Sequence, residues 1–279
     1  MYVGIDIGGT KMLAAYSPDA RRLTATAKMA TPKNQRQAIP DIIKLIDQVA
    51  AGRQVASIGV SAAGQHDLAR GIILAPANLT WRNFAITKEL SRHTGRHVVL
   101  ENDAACGGLA EAMLGAGRDS RRMLYVTIST GIGTSLISDG QIDRGRLNTE
   151  GGHITIQAHD GPVCHCGARG HFEALVSGYA IKRRFGKPAY QIIDKATWDL
   201  IARDMAAGLA SLAAMTTPDV IVLAGGVSTH YDRFKTALAQ HLKNVYRFEL
   251  PPIKLAEFVE TAPVIGALQL AARADQKLR

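Results

Sequence analysis

The sequence predicts an α/β fold, and three observations lead to that prediction. The chain has 279 residues, of which 47% are apolar, which is enough for one large or two modest packed domains. Short β-type runs alternate with segments of helical spacing along the chain. No apolar run reaches the roughly 18 residues that a membrane span needs, so no membrane partner is expected.

The first part of the chain begins with extended segments and continues as an alternation of helix and strand. Apolar residues at 39, 42, 43, 46 and 49 fall on one face of a helix. The elements predicted here are strands at 2–6, 11–16, 23–29, 55–61 and 97–100, helices at 36–51 and 87–94, and a loop at 62–85.

A second unit is predicted to start near residue 105. Tyr125-Val126-x-Ile128 before a glycine turn repeats Tyr2-Val3-x-Ile5 at the start of the chain. The echo is typical of a duplicated strand–turn–strand unit, although it is short enough to arise by chance. The elements predicted here are helices at 104–114, 173–184, 196–215, 231–245 and 265–274, and strands at 123–128, 134–138 and 220–223.

The formal net charge of +9 suits nucleic acid, an anionic nucleotide or simply a soluble surface. The basic residues form short scattered clusters at 21–22, 121–122 and 182–184 rather than a tail, so no specific nucleic-acid partner is expected. The N-terminus has neither a basic segment nor a cleavable apolar one, and a cytoplasmic protein is therefore expected.

The segment at 6–11, DIGGTK, follows the first predicted strand. Glycines let a backbone approach a polyphosphate, and successive N–H groups can form an anion-binding nest. The spacing is neither Gly-x-x-x-x-Gly-Lys nor Gly-x-Gly-x-x-Gly, and an ordinary Gly-Gly hairpin is the open alternative. Asp6 could hold Mg²⁺ through water. The residues expected to contact phosphate or Mg²⁺ are Asp6, Gly8, Gly9, Thr10 and Lys11.

Two later glycine turns could also contact a nucleotide. The segment 127–134 contains Thr130 and Gly131. The hydroxyl of Thr130 and the backbone of Gly131 could contact the transferred phosphate. Gly225 and Gly226 follow a buried strand, where they would let an adenine or ribose lie against the backbone. A structural turn is an adequate alternative for each, but two matching phosphate turns favour the phosphate role more than either turn alone.

Two carboxylate residues, Glu101 and Asp103, follow the strand predicted at 97–100, with the amide residue Asn102 between them. Carboxylates at the carboxyl ends of parallel strands face the ligand crevice in open α/β sheets. Asp103 could take a proton from a sugar hydroxyl, and Asn102 could hydrogen-bond to neighbouring hydroxyls. The alternative, in which both residues only cap the following helix, has equal weight.

A cluster of metal-binding residue types lies between 150 and 173. Cys164 and Cys166 form a Cys-x-Cys pair, with His153 before it and His171 after it. Four such N and S ligands are typical of a closed tetrahedral zinc site, although free thiols and unliganded histidines stay open. His159 and His165 are expected to be solvated, and Cys106 to be a small buried residue. Glu150 and Glu173 flank the cluster and could reach a sugar, or could be surface carboxylates.

In this order the motifs resemble the ROK family (repressors, open reading frames and sugar kinases) over nearly the whole chain, and the cysteine cluster is the most specific of them. The resemblance implies a two-lobed actin/hexokinase-like (ribonuclease H-like) α/β fold with a central cleft. The lobes would comprise residues 1–104 with 266–279, and residues 105–265. The matching segments are 6–11, 64–81, 101–103, 130–133, 150–153, 164–173 and 225–226.

The resemblance also implies the role of each site residue. Asp103 would be the general base for a sugar hydroxyl, usually the 6-hydroxyl, and His153 would bind zinc through one side and the sugar through the other. ATP and Mg²⁺ would be held by residues 6–11 with Thr130 and Gly131, and Gly225 and Gly226 would lie by the adenosine. A homodimer is expected. The residues implied to contact the sugar are Gly64, Asn78, Asn102, Asp103, Glu150, His153 and Glu173.

The chain departs from the family pattern at four places. His171 stands where the family usually has cysteine, which predicts a Cys₂His₂ zinc site. Ala63 replaces a proline before the substrate loop, and Ala224 replaces the first of three glycines near the adenosine. Thr134-Ser135 stands where more glycine is common.

The expected function is an ATP-dependent, glucokinase-like hexose 6-phosphotransferase acting on glucose. The alternative within enzymes is an N-acetylmannosamine or N-acetylglucosamine kinase, and polyphosphate is a further possible donor. A sugar-responsive DNA-binding regulator is the alternative from another class. It would need an added N-terminal helix-turn-helix domain, which is not expected because the phosphate-loop strand starts at Tyr2. Asp6 and Asp103 argue against a non-catalytic sugar-binding protein.

Overall fold

The computed structural model describes residues 1–75, 79–145 and 148–278. These form two compact units, residues 1–110 with the segment from 261 onward, and Glu111–Glu260. The lobe division expected from the sequence stays a prediction, since compactness alone does not show that each unit folds as a domain.

The helices and strands alternate along the chain as an α/β fold requires. They are β1 (Tyr2–Ile7), β2 (Lys11–Ser17), β3 (Ala25–Ala30), α1 (Gln35–Ala50), β4 (Ser57–Ala62), β5 (Gln65–Asp67), β6 (Ile72–Ala75), α2 (Ile86–Thr94), β7 (His97–Asn102), α3 (Asp103–Leu114), β8 (Arg122–Ile128), β9 (Ile132–Ser138), β10 (Gln141–Asp143), α4 (Phe172–Val176), α5 (Gly178–Phe185), α6 (Lys195–Thr216), β11 (Val220–Ala224), α7 (Tyr231–Val245), β12 (Ile253–Leu255) and α8 (Ala262–Leu278).

The sheet of the first unit has the strand order β3-β2-β1-β4-β7. The β1–β2 and β2–β3 pairs are antiparallel, whereas β1–β4 and β4–β7 are parallel. The register places Asp6 beside Ser61 and Ser61 beside Glu101. The three parallel strands therefore end together, and the residues that follow them lie along one edge of the sheet.

Helices α1 and α8 cover opposite faces of this sheet. On β2, Met12 and Ala14 belong to the core cluster that contains α1, whereas Leu13 and Ala15 pack with residues of α8. Successive strand residues point to opposite faces, which explains the alternation. α8 lies so close to the sheet that a Cβ atom on Gly59 would collide with the carbonyl oxygen of Ala267.

The sheet of the second unit has the same topology, in the order β10-β9-β8-β11-β12. The β8–β9 and β9–β10 pairs are antiparallel, and β8–β11 and β11–β12 are parallel. Strand β8 therefore occupies the place that β1 has in the first sheet, and the Tyr-Val-x-Ile echo lies on equivalent strands. Trp198 and Phe172 are fully buried in the core beneath this sheet.

The structure differs from the predicted elements at a few places. Residues 62–85, predicted as a loop, contain the antiparallel hairpin of β5 and β6. The helix predicted over 173–184 is broken at Ser177, whose backbone is extended and whose hydroxyl accepts a hydrogen bond from the Ala180 N–H, capping α5. Strands β10 and β12 were not predicted. Within the described residues, no helix is long and apolar enough to cross a membrane.

Candidate functional site

Asp6 and Ser61 lie at the carboxyl ends of the parallel strands in the first unit. The Ser61 hydroxyl donates a hydrogen bond of 2.9 Å to Asp6 Oδ1. Burial raises the pKa of the Asp6 carboxyl to about 7, the bond from Ser61 opposes that rise, and the nearby Asp103 carboxylate adds to it. Sequence reasoning missed Ser61, because cross-strand register is not visible in a single strand.

Asp103 is the first residue of α3 and directly follows β7. Burial raises the pKa of its carboxyl above the usual range, while hydrogen bonds from the Ala104 backbone and the Asn102 side chain oppose the rise. Asn102 Oδ1 accepts hydrogen bonds from the N–H groups of Ala104 and Ala105 at 2.9 and 3.2 Å. Asn102 therefore caps α3, and the role of Asp103 as a base stays a prediction.

The glycine loop at 6–11 is the hairpin that joins β1 to β2. The Gly8 N–H donates to the Lys11 carbonyl oxygen at 3.0 Å. Thr31, just after β3, donates from its hydroxyl to the Gly8 carbonyl at 2.7 Å and from its N–H to the Thr10 carbonyl at 3.0 Å. The backbone thus has the hairpin form, and the exposed side chains of Thr10 and Lys11 are the groups that a phosphate could reach.

Gly64, the glycine expected to contact the sugar, lies two residues after β4. Its φ is +105°, a conformation that glycine adopts without the steric penalty of a Cβ atom. Gly64 therefore lies just beyond the carboxyl end of β4, the strand that contains Ser61. Asn78, the other sugar-contacting residue expected in this region, lies outside the described residues.

Four side chains of the second unit converge on one point. The Sγ atoms of Cys164 and Cys166 and a ring nitrogen each of His153 and His171 all lie within 4.8 Å of one another. The two Nδ1 atoms are 3.3 Å apart, Cys164 Sγ lies 3.8 Å from His153 Nδ1, and Cys166 Sγ lies 3.3 Å from His171 Nδ1. The sequence-predicted metal ligands are thus brought together.

This donor set fits zinc. With Zn–S near 2.3 Å and Zn–N near 2.05 Å, tetrahedral ligands are separated by about 3.3 Å for N–N and about 3.6 Å for N–S. The observed separations lie within about 0.3 Å of those values. Burial raises the pKa of the Cys164 thiol, so a cation is needed to hold its thiolate at neutral pH.

His153 presents its two ring nitrogens to different surroundings. Nδ1 faces the cluster, whereas Nε2 lies 3.9 Å from the Glu150 carboxylate. The residues from Gly151 to His153 form a 3₁₀ turn, which follows Glu150 directly. A metal ion on Nδ1 would therefore leave Nε2 and the exposed Glu150 carboxylate on the other side of the ring.

The turn between β8 and β9, residues 129–131, carries the exposed side chain of Thr130. The Ser129 N–H donates to the Gly131 carbonyl at 2.9 Å, and the Ile132 N–H donates to Glu173 Oε2 at 2.8 Å. Glu173 Oε1 lies 3.8 Å from Cys164 Sγ. The structure therefore brings Glu173 against the predicted phosphate turn as well as against the cluster.

The turn after β11 adjoins the same part of the second unit. Gly225 has a φ of +84°, and a Cβ atom there would collide with the carbonyl oxygen of Ile128. The Val227 N–H donates to that same oxygen at 3.0 Å. Gly226 is exposed, and its Cβ position faces open space. The backbone conformation and close packing thus explain why residue 225 is glycine. The absence of a side chain at Gly226 leaves room for a ligand against the backbone.

Comparisons with known proteins match nearly the whole chain to one family. The model of the ROK family matches residues 2–274. A ROK hexokinase from Thermus thermophilus has a similar structure, with a TM-score of 0.89, 32% identity and 99% of each chain covered. A ROK family glucokinase from Streptomyces griseus, solved with glucose and AMPPNP, has a TM-score of 0.82 and 27% identity, with 98% of this chain and 99% of that chain covered.

A third similar protein is the N-acetylgalactosamine kinase AgaK of Shewanella sp., which is 31% identical, with 97% of this chain and 96% of the relative covered. The solved relatives also confirm the actin/hexokinase-like class of α/β fold that the sequence predicts. The chain therefore belongs to the ROK family.

Proposed function

We propose that the protein is an ATP-dependent sugar kinase that transfers the γ-phosphate to the 6-hydroxyl of a hexose, with glucose as the preferred substrate. The observation that carries this proposal is the placement of Asp103 directly after β7, with a carboxyl whose pKa burial raises. A carboxylate of raised pKa is a stronger base for a hydroxyl proton than an ordinary one.

In the proposed reaction the proton of the sugar hydroxyl passes to the Asp103 carboxylate. The sugar oxygen forms a bond to the γ-phosphorus while the bond from that phosphorus to the β-phosphate oxygen breaks, and ADP leaves. The protein has little covalent chemistry to perform in this reaction. Its residues therefore act by positioning the reactants and by stabilising charge.

Three glycine turns would contribute groups for the nucleotide. In the first unit, the 6–11 hairpin would contact phosphate through Gly8, Gly9, Thr10 and Lys11, and Asp6 would hold Mg²⁺ through water. When bound, Mg²⁺ offsets the charge on the phosphates. In the second unit, Thr130 and Gly131 would contact phosphate, and Gly225 and Gly226 would lie by the adenosine.

Some of the residues that would contact the sugar are ordered by the zinc-type cluster of His153, Cys164, Cys166 and His171. Zn²⁺ held by His153, Cys164, Cys166 and His171 would act as a structural cross-link. With its Nδ1 committed to the metal, His153 would offer Nε2 to a sugar hydroxyl beside the Glu150 carboxylate. Gly64, Asn78, Asn102 and Glu173 are the other proposed sugar contacts.

The second candidate function is an N-acetylhexosamine kinase, with N-acetylmannosamine or N-acetylglucosamine as substrate. It is favoured by the 31% identity to an enzyme named for N-acetylgalactosamine, a related acetylated sugar. The same acid–base residue serves both candidates, and the difference would lie at the sugar 2-substituent. A sugar-responsive regulator lacking catalysis is less well supported, because it has no need of the carboxyls of raised pKa at Asp6 and Asp103.

A coupled ADP-release screen tests the proposal, with glucose, mannose, fructose and the N-acetylhexosamines as substrates and with ATP or polyphosphate as donor. We expect ATP-dependent turnover with the highest kcat/KM for glucose. A higher kcat/KM for an N-acetylhexosamine would favour the second candidate, and specific DNA binding without turnover would favour the regulator. A homodimer is also proposed, and light scattering on the eluting protein would show its mass.

A further inference from the structure

Glu173 touches two features that the proposed function treats separately. Its Oε2 accepts the Ile132 N–H at 2.8 Å, and a Cβ atom on Gly131 would lie only 2.5 Å from the same oxygen. Its Oε1 lies 3.8 Å from Cys164 Sγ. One half-buried side chain in the first turn of α4 therefore contacts both the metal-type cluster and the turn at 129–131.

The backbone of this turn is also fixed from the start of α5. The Gly178 N–H donates to the Ser129 carbonyl at 2.7 Å, and the Tyr179 N–H donates to the Thr130 carbonyl at 3.3 Å. These bonds hold the carbonyl oxygens of the turn. Glu173 instead accepts an N–H group at the other end of the turn, so the bond to Ile132 holds the backbone where the turn enters β9.

The segment that carries His153 packs on the same strand. Thr134 Oγ1 donates to the Thr149 carbonyl and accepts the Gly151 N–H, both at 2.8 Å. A Cβ atom on Gly152 would lie 2.5 Å from the Ile132 carbonyl oxygen. Thr134 thus ties the histidine segment to β9. The segments that carry His153 and His171 therefore both contact the start of β9.

We propose that Glu173 is a positioning residue for the nucleotide: its carboxylate holds the Gly131–Ile132 backbone in the conformation that receives a phosphate. This inference rests on the proposed function, since it assumes that the 129–131 turn contacts ATP. It assigns Glu173 a role in nucleotide binding that is separate from any contact with the sugar.

Substitution of Glu173 can either raise or lower the affinity for the nucleotide, and the direction shows whether the carboxylate positions the turn or only repels the phosphate. A carboxylate near a bound phosphate repels it, so removal of the charge alone would strengthen nucleotide binding. If instead the carboxylate holds the turn, loss of the acceptor leaves the Ile132 N–H without its partner and weakens binding. A glutamine keeps an acceptor oxygen and removes the charge, so it distinguishes the two effects.

Calorimetric titration with a non-hydrolysable ATP analogue and Mg²⁺, in the absence of sugar, tests the proposal. Glu173→Ala should raise the dissociation constant about tenfold, which is the size expected for loss of a hydrogen bond to a charged acceptor. Glu173→Gln should bind the analogue at least as tightly as the wild type. Glu249→Ala, which removes an exposed glutamate of the same unit, is the matched control and should bind as the wild type does.

An Ala variant that binds the analogue as tightly as the wild type, or more tightly, would overturn the proposal. So would a Gln variant that loses affinity to the same extent as Ala, because the acceptor would then be irrelevant. Thermal unfolding of each variant shows whether the fold is retained. A wild type that phosphorylates sugar while Glu173→Ala leaves nucleotide affinity unchanged would remove this inference and leave the proposed function intact, whereas a wild type without phosphorylation or nucleotide binding would remove both.

Discussion

The Ser61 hydroxyl donates a hydrogen bond of 2.9 Å to the Asp6 carboxylate across the parallel pair β1–β4. Burial raises the pKa of Asp6 to about 7, and the bond from Ser61 limits that rise. The residue proposed to hold Mg²⁺ is therefore close to half-protonated near neutral pH. This charge state has consequences for stability as well as for function.

Asp6→Asn should stabilise the protein increasingly as the pH rises. The Asp6 pKa rises from 3.8 to about 7 on folding, so the folded state binds more protons between those pH values and loses stability as the pH increases through them. The loss is complete above about pH 7 and amounts to about 4 kcal/mol. Asparagine does not titrate, and its side-chain oxygen can still accept from Ser61.

The measurement is the free energy of unfolding by urea, at pH 5 and pH 8 and without Mg²⁺. The advantage of Asp6→Asn over the wild type should be larger at pH 8. Asp47→Asn, at an exposed site on α1, is the matched control for the same change of residue type. An advantage of Asp6→Asn that is the same at both would contradict the account of Asp6.

Asp103→Asn should leave sugar binding close to that of the wild type and lower kcat by about 10²–10⁴-fold, since proton acceptance by a positioned base contributes about that factor. Asparagine has nearly the same shape but cannot take the proton. Sugar affinity is measured by calorimetry and kcat by coupled ADP release, with Asp47→Asn as the control. Near-normal turnover would show that another group is the base.

The cluster should hold about one zinc ion per chain, as measured by plasma mass spectrometry on protein purified without chelators. His171→Ala should reduce that content and raise the sugar KM, because the loop that carries His153 loses its cross-link. His165→Ala is the matched control, since His165 lies in the same loop but is exposed and outside the cluster. Equal metal content in the two variants would mean that His171 is not a ligand.

We expect Glu111 to contribute to the free energy of unfolding and to have no part in catalysis. Its fully buried carboxylate accepts the N–H groups of Ala116, Glu257 and Phe258 at 2.9, 3.1 and 2.7 Å. Glu111→Ala leaves these donors without their partner and should lower the free energy of unfolding by about 3 kcal/mol or more. Glu249→Ala should change it by less than about 0.5 kcal/mol. A small effect at Glu111 would show that water replaces the carboxylate.

The elements that could be predicted from the sequence are those with a strong hydrophobic pattern. The helix predicted at 36–51 is observed as Gln35–Ala50, and the one at 231–245 is observed with those bounds. The break at Ser177 was missed because apolar residues keep their helical spacing on both sides of it, so periodicity does not reveal a cap. The β5–β6 hairpin was missed because Gln65–Asp67 lacks β-type residues.

Only those parts of the candidate site that depend on residue type and spacing could be predicted from the sequence. Cys164, Cys166 and the two histidines are recognisable by residue type and spacing, and the structure brings them together. The contacts of Ser61 with Asp6 and of Glu173 with Ile132 depend on strand register and helix placement, which residue type does not encode. Asn102 shows the opposite case, since its capping role was visible in the sequence as one of two alternatives.

The most direct test of the proposed function is product analysis after incubation with ATP, Mg²⁺ and glucose. Phosphorus NMR and mass spectrometry would follow the nucleotide and the sugar together. We expect equimolar ADP and glucose 6-phosphate from the wild type, and about 10²–10⁴-fold slower formation of both from Asp103→Asn. Absence of any sugar phosphate from glucose and from the other hexoses and N-acetylhexosamines, in protein that is folded and metal-loaded, would contradict the proposal that this chain is a sugar kinase.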